Sequence, residues 1–475
     1  MSGELRALVP EIALAVAAVV GLLAGSWLPR RRQWAVAALA AVACGFGVVA
    51  TGVGLAGEGD RTVFSGTFAV DTVTGVGRLI VLGALLLVIA LSVEPFRGHR
   101  RESEYYVLVL LTGAGTLAMI GANDLLMLFA GYLLASVPAY TLAGYAKDAP
   151  GTEAALKYYL MGALLGVTML AGAALLYGAG RATGYWRLQT ALPQAGYGLV
   201  AVGLVGVLAG LLFKIGGVPA HYWVPDVTEG ATAPVAAYVT TLPKVGGLLA
   251  GYRLVHQALP ASGVNWPLLL AVLAAASMTL GNLAAFFQTS VRRLLAYSTV
   301  GQVGYLLMPL AVATRSDLAQ QGLLLYLAAY AATQLGAFAV VAELPHARTL
   351  EDYRGLARDR PGLAAVLVVC LLGLVGTPPT GVFLGKLEVF GAAVDGGYTW
   401  LAVLAVANTV ASLFYYLRWL TPVFLPASPA PAPAARASTG SWCAATAYTA
   451  AGLSLLLGVA GGALLSAADG PLVLR

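Results

Sequence analysis

The chain has 475 residues, of which 59% are hydrophobic and only 10% are charged, and its mean hydropathy is +0.83. Soluble domains carry about 25% charged residues, so this composition, with its repeated apolar runs of about 20 residues, predicts a polytopic helical membrane protein. The net charge of +6 is accordingly attributed to cytoplasmic loops and not to nucleic-acid binding.

Apolar runs along the chain predict an all-α polytopic membrane protein with about 14 spans, each near the length of about 20 residues that a bilayer requires. The first seven predicted spans run over 9–28, 34–54, 72–93, 105–121, 124–143, 154–178 and 196–218. The other seven run over 234–256, 266–287, 294–313, 319–343, 361–392, 397–423 and 441–467. Residues 424–440, FLPASPAPAPAARASTG, have the composition of an exposed linker.

The basic residues are distributed unevenly between the two sides of these spans. The termini and the even-numbered loops contain Arg6, Arg61, Arg181, Arg187, Arg315 and Arg475. The odd-numbered loops and their flanks contain Arg30, Arg31, Arg32, Arg97, Arg100, Arg101, Lys147, Arg292, Arg293, Arg348, Arg354, Arg358, Arg360, Arg418 and Arg436. Because loops rich in arginine and lysine face the cytoplasm, both termini are predicted to lie outside it.

Cysteine and histidine usage gives no sign of a bound metal or cofactor. Cys44, Cys370 and Cys443 lie far apart in apolar runs, and no two cysteines form a Cys-x-x-Cys pair. This distribution argues against an iron–sulfur cluster, a structural zinc site and a disulfide framework. The four histidines include no pair at the spacing of metal ligands on one helix. The sequence therefore predicts no redox centre and no metal on this chain.

Two predicted spans are interrupted by glycine and proline. The segment KIGGVPAHYWVPD covers Lys214 to Asp226, and LVGTPPTGVFLGK covers Leu374 to Lys386. Broken helices in corresponding parts of two halves are typical of the transport paths of proteins built from inverted repeats. Backbone groups freed at such breaks must face protein or water, so each break predicts a hydrated region inside the membrane.

Three of the five lysines lie inside apolar segments. Lys244 is midway along its span, whereas Lys214 and Lys386 lie at the two breaks. Snorkelling reaches only a few residues from the end of a span, so it does not explain Lys244. A buried lysine can give up its proton, whereas an arginine stays charged. The three lysines are therefore predicted to carry protons, with snorkelling as the alternative for Lys214.

Further polar residues are candidates for a proton relay. These are Lys157, Gln302, Ser298, Tyr305, Glu388 and Tyr140. Lys157 begins the sixth span, where it either pairs with Glu153 one turn earlier or snorkels. Ser298, Gln302 and Tyr305 share one face of the tenth span. For the neutral side chains, an interhelical hydrogen bond is the competing interpretation.

Charged residues near the ends of other spans have structural interpretations. Arg78 and Arg253 are expected to anchor their helices at the membrane interface. Asp124 is expected to cap the N-terminus of the fifth span. Asp226 follows the first break, where helix capping is favoured over a role at the mouth of a half-channel.

Longer stretches of the sequence resemble one known family. The stretch GLLFKIGGVPAHYWVPDVTEGATAPVAAYVTTLPKVGG resembles the core of the antiporter-like membrane subunits of respiratory complex I, and its PDVTEGATAPV segment is most similar to the subunit N branch. Further matches are LVPEIAL, EAALKYYLMGAL, NLAAFFQTSVRRLLAYSTVGQVGYLL and GTPPTGVFLGKLEVF. Together these stretches follow one another in order over most of the chain.

The resemblance implies two inverted five-helix repeats with discontinuous helices 7 and 12. It divides the chain into 1–104 (helices 1–3), 105–256 (first repeat), 257–423 (second repeat), 424–440 (linker) and 441–475 (helix 14). It also implies that Lys214, Lys244 and Lys386 form a charged axis across the membrane. Partner subunits of a bacterial NADH–quinone oxidoreductase would hold NADH, FMN, iron–sulfur clusters and quinone. This chain would lie in the cell membrane beside other complex I membrane subunits.

Two positions depart from the family pattern. The family usually carries a glutamate in the fifth helix, in a pattern like LELLSLPLY, where this chain has Leu133 in YLLASVPAY. A histidine common in the tenth helix is replaced by Gln302, which relays a hydrogen bond but does not hold a proton near neutral pH. Lys214 is therefore expected to lack its usual charged partner.

The sequence thus predicts a proton-translocating subunit of a complex I-type enzyme, driven by quinone reduction in partner subunits. A subunit of a multisubunit cation/proton antiporter is one alternative, because that class shares the lysine pattern. A non-pumping structural subunit of a divergent complex is another, because Leu133 and Gln302 replace two proton-holding groups.

Overall fold

The computed structural model of the chain describes residues 2–57, 59–426 and 440–474. Most of the predicted linker 424–440 lies outside the described residues, as do Arg436 and Arg475. The described part of the chain is almost entirely helical, in agreement with the predicted fold class.

Twenty α-helices, named α1 to α20 in chain order, form the described part of the molecule. The first ten are α1 (Ser2–Ala7), α2 (Val9–Trp27), α3 (Trp34–Gly57), α4 (Thr72–Phe96), α5 (Glu102–Ile120), α6 (Leu125–Ala143), α7 (Ala149–Gly180), α8 (Tyr185–Ala191), α9 (Tyr197–Ile215) and α10 (Trp223–Gly230). The other ten are α11 (Ala233–Gln257), α12 (Trp266–Phe286), α13 (Val291–Ala311), α14 (Leu318–Glu343), α15 (Leu356–Asp359), α16 (Pro361–Val375), α17 (Gly381–Asp395), α18 (Thr399–Phe424), α19 (Ser441–Val459) and α20 (Gly461–Ala467). Two short antiparallel strands, β1 (Arg61–Val63) and β2 (Phe68–Val70), form a hairpin between α3 and α4.

Twelve helices within the described residues are long and apolar enough to cross a membrane. The helix α11 is not among them, and α16 and α17 have only 15 residues each because they are the two halves of a broken span. The predicted count of 14 spans requires α11 and the α16–α17 pair to cross as well, so it stays a prediction.

The helices pack through glycine where two backbones approach closely. A Cβ on Gly115 in α5 would lie 2.2 Å from the backbone nitrogen of Ala135 in α6, and one on Gly304 in α13 would lie 2.3 Å from that of Met278 in α12. Small residues at such contacts are the usual means by which membrane helices associate. The helices α11 and α14 are buried along almost their whole length and therefore lie at the centre of the bundle.

Both predicted breaks are present, each as a non-helical segment between two helices. Residues 216–222 separate α9 from α10, and residues 376–380 separate α16 from α17. Gly216 and Gly376 follow directly after α9 and α16 with φ of +75° and +91°, a left-handed conformation that glycine adopts without steric cost. Each break also contains a cis bond before proline, Val218–Pro219 and Pro378–Pro379.

Arg78 and Arg253 do not anchor helices at the interface, and that prediction is wrong. Arg253 is fully buried in α11, where its Nη1 and Nη2 donate to the two carboxylate oxygens of Asp71 at 2.8 and 2.7 Å. Arg78 in α4 is also buried and pairs with Glu11 in α2 at 2.8 Å. Each arginine is held by an acid from a distant part of the sequence, so both stabilise the packing of the bundle.

Candidate functional site

Lys214 lies in the last turn of α9, at the edge of the first break, and its side chain is buried. Its Nζ donates to the hydroxyl of Ser136 in α6 at 2.9 Å and lies 5.8 Å from the ring centroid of Tyr132. No ion pair to Lys214 is present within the described residues. Leu133, at the position of the family glutamate, is 42% exposed. The neighbours of Lys214 are therefore the hydroxyl of Ser136 and the ring of Tyr132, whereas the family pattern predicts a carboxylate as its partner.

Lys244 occupies the middle of α11 and is completely buried. Pro243 precedes it inside the helix and has no N–H, so the carbonyl of Val239, four residues before the proline, loses its helical donor. The Nζ of Lys244 donates to this carbonyl at 2.8 Å. The same Nζ lies 4.9 Å from the ring centroid of Trp223 in α10. The Pro243–Lys244 dipeptide thus both frees a carbonyl and supplies the amine that binds it.

The first break brings Lys214 and Lys244 close together. A Cβ on Gly216, two residues after Lys214, would lie 3.6 Å from the Nζ of Lys244. The indole N–H of Trp223 donates to the carbonyl of Phe213 at 2.9 Å, which links α10 to α9 beside both lysines. Unwound backbone next to buried ionisable groups is the arrangement expected where ions pass through a membrane protein.

Lys386 lies in α17 and is buried at the second break. Its Nζ donates to the carbonyl of Val375, the last residue of α16, at 2.8 Å and to the hydroxyl of Thr409 at 3.3 Å. It also lies 4.2 Å from the ring centroid of Tyr305 in α13. The last carbonyls of a helix are unpaired and carry partial negative charge, so the end of α16 is a favourable place for this side chain.

Gln302 connects the middle of the bundle to the second break. Its Nε2 donates to the carbonyl of Leu374 at 2.7 Å, next to the carbonyl that binds Lys386. Its Oε1 accepts from the hydroxyl of Tyr326 in α14 at 2.5 Å. Both polar ends of the amide are used, so Gln302 links Tyr326 to the end of α16 through hydrogen bonds without carrying charge.

A second polar contact links α11 to α13 and α14. The hydroxyl of Tyr330 donates to the carbonyl of Thr240 at 2.7 Å and lies 3.2 Å from the hydroxyl of Thr299. Thr240 adjoins Val239, whose carbonyl binds Lys244. Thr299 lies one turn before Gln302. Neither Tyr326 nor Tyr330 is among the predicted relay residues, although two tyrosines one helical turn apart in an apolar span are a detectable signal. Buried polar groups therefore continue from α11 to the second break.

The three buried lysines and the polar groups between them, Tyr330, Thr299, Gln302 and Tyr326, are called the buried row. The other neutral relay candidates lie beside it. Ser298 shares a hydrogen bond with the hydroxyl of Tyr416 in α18, as the competing interpretation expects. Tyr305, whose ring faces the α17 lysine, accepts from the amide of Asn282 at 3.4 Å. Tyr140 is largely buried and lies one turn after Ser136, which binds Lys214. Whether these three residues relay protons stays a prediction.

Lys157 does not join the buried row. It is 46% exposed in α7, and its Nζ lies 2.8 Å from Glu153 and 2.8 Å from Asp226. Of the two alternatives for Lys157, the structure shows the pairing with Glu153. Asp226 also pairs with Arg293 at 3.2 Å. The carboxylate of Asp226 therefore joins α7, α10 and α13 through ion pairs, whereas the sequence favoured helix capping.

The two remaining acids behave differently. Asp124 accepts from the backbone N–H groups of Leu126 and Met127, so the predicted cap of α6 is confirmed. Glu388 is only partly buried, and its Cβ lies 3.1 Å from the position of a Cβ on Gly322 in α14. Because Glu388 is two residues after the α17 lysine, it faces a different side of the helix, and its place in a path stays a prediction.

Comparison with known proteins defines the class to which this fold and this row of lysines belong. A family model described as "NADH:quinone oxidoreductase/Mrp antiporter, TM" matches residues 122–412, which include both breaks and the three buried lysines. A chain of the Mrp complex from Dietzia sp. DQ12-45-1b has the same fold, with a TM-score of 0.86 at 22% identity over 98% of this chain and 96% of that one. The class is that of antiporter-like membrane subunits.

Relatives of higher identity define the family more narrowly. NADH-quinone oxidoreductase subunit N 1 of Streptomyces griseus is 56% identical over 98% of both chains, and subunit N of Mycobacterium sp. (strain JLS) is 51% identical over 95% of this chain and 96% of its own. A chain of respiratory complex I from Thermus thermophilus is 32% identical, with a TM-score of 0.83 over 96% of this chain and 98% of that one. The chain therefore belongs to the NADH-quinone oxidoreductase subunit N family.

Proposed function

We propose that this chain translocates protons as a membrane-arm subunit of an NADH–quinone oxidoreductase. In this proposal it lies in a bacterial cell membrane with both termini outside the cytoplasm, and other complex I membrane subunits are its neighbours. NADH, FMN, iron–sulfur clusters and quinone belong to partner subunits, whose redox reactions drive the proton movement. The family membership and the unequal distribution of basic residues between loops support these assignments.

The observation that carries the proposal is the row of three buried lysines at the two breaks. Lys214, Lys244 and Lys386 each donate to a neutral oxygen, which is a hydroxyl or a backbone carbonyl. Removing one member of a buried ion pair leaves an uncompensated charge, and that is costly. A lysine bound to a neutral oxygen leaves no such charge when it loses its proton. These contacts therefore suit a side chain that alternates between two protonation states.

The two breaks also support the proposed division into repeats. Residues 105–256 contain the α9–α10 break, and residues 257–423 contain the α16–α17 break. In this proposal each repeat contributes one half-channel. Two positive charges near one another in a medium of low dielectric repel strongly, so a proton that arrives at Lys214 would drive the proton of Lys244 onward. The row through Thr299 and Gln302 would then lead to Lys386.

Purification of the tagged chain with its partners tests this function against the antiporter alternative. We expect partner subunits that bear iron–sulfur clusters and a quinone site, and vesicles that acidify when NADH reduces quinone. Recovery of antiporter subunits, with cation/proton exchange that continues without NADH or quinone, would replace the proposal with the alternative. The shared fold with the Mrp chain is the observation that favours this second candidate.

Substitution of Leu133 by glutamate tests whether Lys214 lies on the path. Leu133 precedes Ser136 by three residues on α6, so a carboxylate there comes close to the lysine that Ser136 binds. The added charge attracts the ammonium, and we expect proton pumping by the complex to persist to higher pH. The measurement is the pH dependence of proton uptake in vesicles, normalised to the rate of quinone reduction.

The neighbouring variant Leu134→Glu is a matched control. Leu134 is 40% exposed, close to the 42% of Leu133, but its side chain leaves the helix about 100° further round. It adds the same charge at nearly the same depth, and we expect the pH profile to remain that of the wild type. A Leu133→Glu profile that matches the control would remove Lys214 from the path and favour a structural role for this chain.

A further inference from the structure

We propose that the groove between α3, α4, α5 and α19 is a binding site for an anionic phospholipid. The groove encloses about 510 Å³ and is separate from the row of lysines. Its inner part is lined by apolar side chains that include Ala37, Ala41, Leu86 and Ile89. The small alanines of α3 leave the space open, and a hydrocarbon chain is the ligand that such a lining accepts.

The depth of the groove matches one leaflet of a bilayer. The residues at its mouth are Trp34, Arg97, Glu102 and Trp442, which lie at or next to the ends of α3, α4, α5 and α19. Leu86 is ten residues from the end of α4, which is roughly 15 Å at about 1.5 Å per residue. Half of a hydrocarbon core of about 30 Å has the same thickness. The groove thus fits an acyl chain of a single leaflet.

The charge around the mouth selects the headgroup. Arg97 and Glu102 line the mouth, and the chain segments that adjoin it, residues 30–32 and 94–104, carry six arginines against three glutamates, namely Arg30, Arg31, Arg32, Arg97, Arg100 and Arg101 against Glu94, Glu102 and Glu104. Glu94 accepts from the backbone N–H groups of Trp442 and Cys443, and Glu102 accepts from that of Gly98. Arg97 and Glu102 both line the groove, and Arg97 is exposed whereas Glu102 is buried, so the arginine is the charged group of the mouth that is open to a ligand. A basic pocket between helices on the cytoplasmic side is suited to the phosphate of an anionic lipid.

A buried hydroxyl provides an independent indication of a ligand. Tyr106 lines the groove and is fully buried, yet its hydroxyl has no hydrogen-bond partner among the described residues. Buried polar groups are normally paired, so an unpaired one in a cavity needs an explanation. Tyr106 is four residues below Glu102, or about 6 Å from the mouth. The ester oxygens of a phospholipid lie between headgroup and acyl chain, and they are acceptors for this hydroxyl.

Aromatic residues at the mouth are consistent with this position in the bilayer. Trp34 on α3 is 60% exposed and Trp442 on α19 is 51% exposed, and both line the groove. Tryptophan is enriched at the level of the lipid headgroups, where its ring is apolar and its N–H is polar. The mouth therefore lies at the headgroup level that the arginines also indicate.

Native mass spectrometry of the purified complex tests the site with two lipids that share acyl chains, phosphatidylglycerol and phosphatidylcholine. We expect the wild type to retain phosphatidylglycerol in preference. We expect Arg97→Gln to weaken retention of phosphatidylglycerol about fivefold, which corresponds to the loss of one arginine near the phosphate. Arg358→Gln removes another exposed arginine of the predicted cytoplasmic side, away from the groove, and should leave retention unchanged.

A second variant addresses the acyl chain. Ala41→Phe fills the groove, and we expect one fewer lipid of either kind to remain bound while the complex stays assembled. Equal retention of the two lipids in the wild type, or wild-type retention in both Arg97→Gln and Ala41→Phe, would overturn the proposal. Reaction of a photo-crosslinker at Val93 with a partner subunit would also overturn the proposal, because a protein and not a lipid would then cover the groove.

Discussion

Replacement of Lys244 by methionine is expected to abolish most of the proton pumping that this chain contributes, while the complex still assembles. Methionine is unbranched and fills a similar space, so the packing of α11 against Trp223 and α14 is largely kept. The carbonyl of Val239 loses its donor, which costs roughly 1–3 kcal/mol of stability. The change removes the titratable group in the middle of α11, which lies next to the first break. The measurement is the number of protons moved per NADH oxidised in sealed vesicles.

Two further variants distinguish proton transfer by Lys244 from its contribution to packing. Lys244→Arg keeps a positive charge but does not release its proton at any relevant pH, so we expect it to lose pumping as well. Lys147→Met removes an exposed lysine from the loop between α6 and α7 and should pump like the wild type. Normal proton stoichiometry in Lys244→Met would contradict the proposed path. Recovery of pumping in Lys244→Arg would assign this lysine a purely electrostatic role.

The elements with local sequence signals could be predicted well. The breaks after α9 and α16 follow from glycine and proline within a few residues of each other, because the two together end a helix, whereas the single Pro243 does not end α11. The burial of Lys214, Lys244 and Lys386 follows from their apolar surroundings in the sequence. Local patterns of this kind require no knowledge of which helices are neighbours.

Contacts between distant segments could not be predicted in the same way. Arg253 and Asp71 are 182 residues apart, and nothing near either residue identifies the other. The ammonium of Lys386 binds the end of α16, and the hydroxyl of Tyr330 reaches α11, for reasons of packing that a single sequence does not contain. The same limit applies to Asp226, whose position near a break suggested a helix cap although its partners come from α7 and α13.

The absence of the family glutamate illustrates a further limit. The sequence identifies Leu133 as a departure and predicts an unpaired Lys214, but it does not identify a substitute. The hydroxyl of Ser136 accepts from that lysine, so the site remains polar without an acid. A serine three residues from the expected position has many uses in a membrane helix, and only the arrangement of α6 against α9 identifies this one.

Replacement of Arg253 by methionine is expected to destabilise the chain by about 3–5 kcal/mol, because it leaves the buried carboxylate of Asp71 without its partner. Both side chains are fully buried, and Arg253 also donates to the hydroxyl of Thr74 at 3.0 Å. Asp71 additionally caps α4 and accepts from the N–H of Val473 near the C-terminus. Loss of the arginine therefore disturbs the junction of α4, α11 and the C-terminal segment. Unfolding of the purified protein in detergent, followed by circular dichroism, measures the effect.

The double variant Asp71→Asn/Arg253→Met distinguishes an unpaired charge from a general loss of packing. Asparagine at position 71 keeps the cap of α4, since Asn is as good an N-cap as Asp, but it carries no charge. Replacing both members of a buried pair by neutral groups is often close to neutral for stability, so most of the lost free energy of unfolding should return. Arg187→Met, which removes an arginine stacked on Trp186 away from this junction, should change stability by less than about 1 kcal/mol. A double variant as unstable as Arg253→Met would show that the arginine acts through its packing and not through the charge of Asp71.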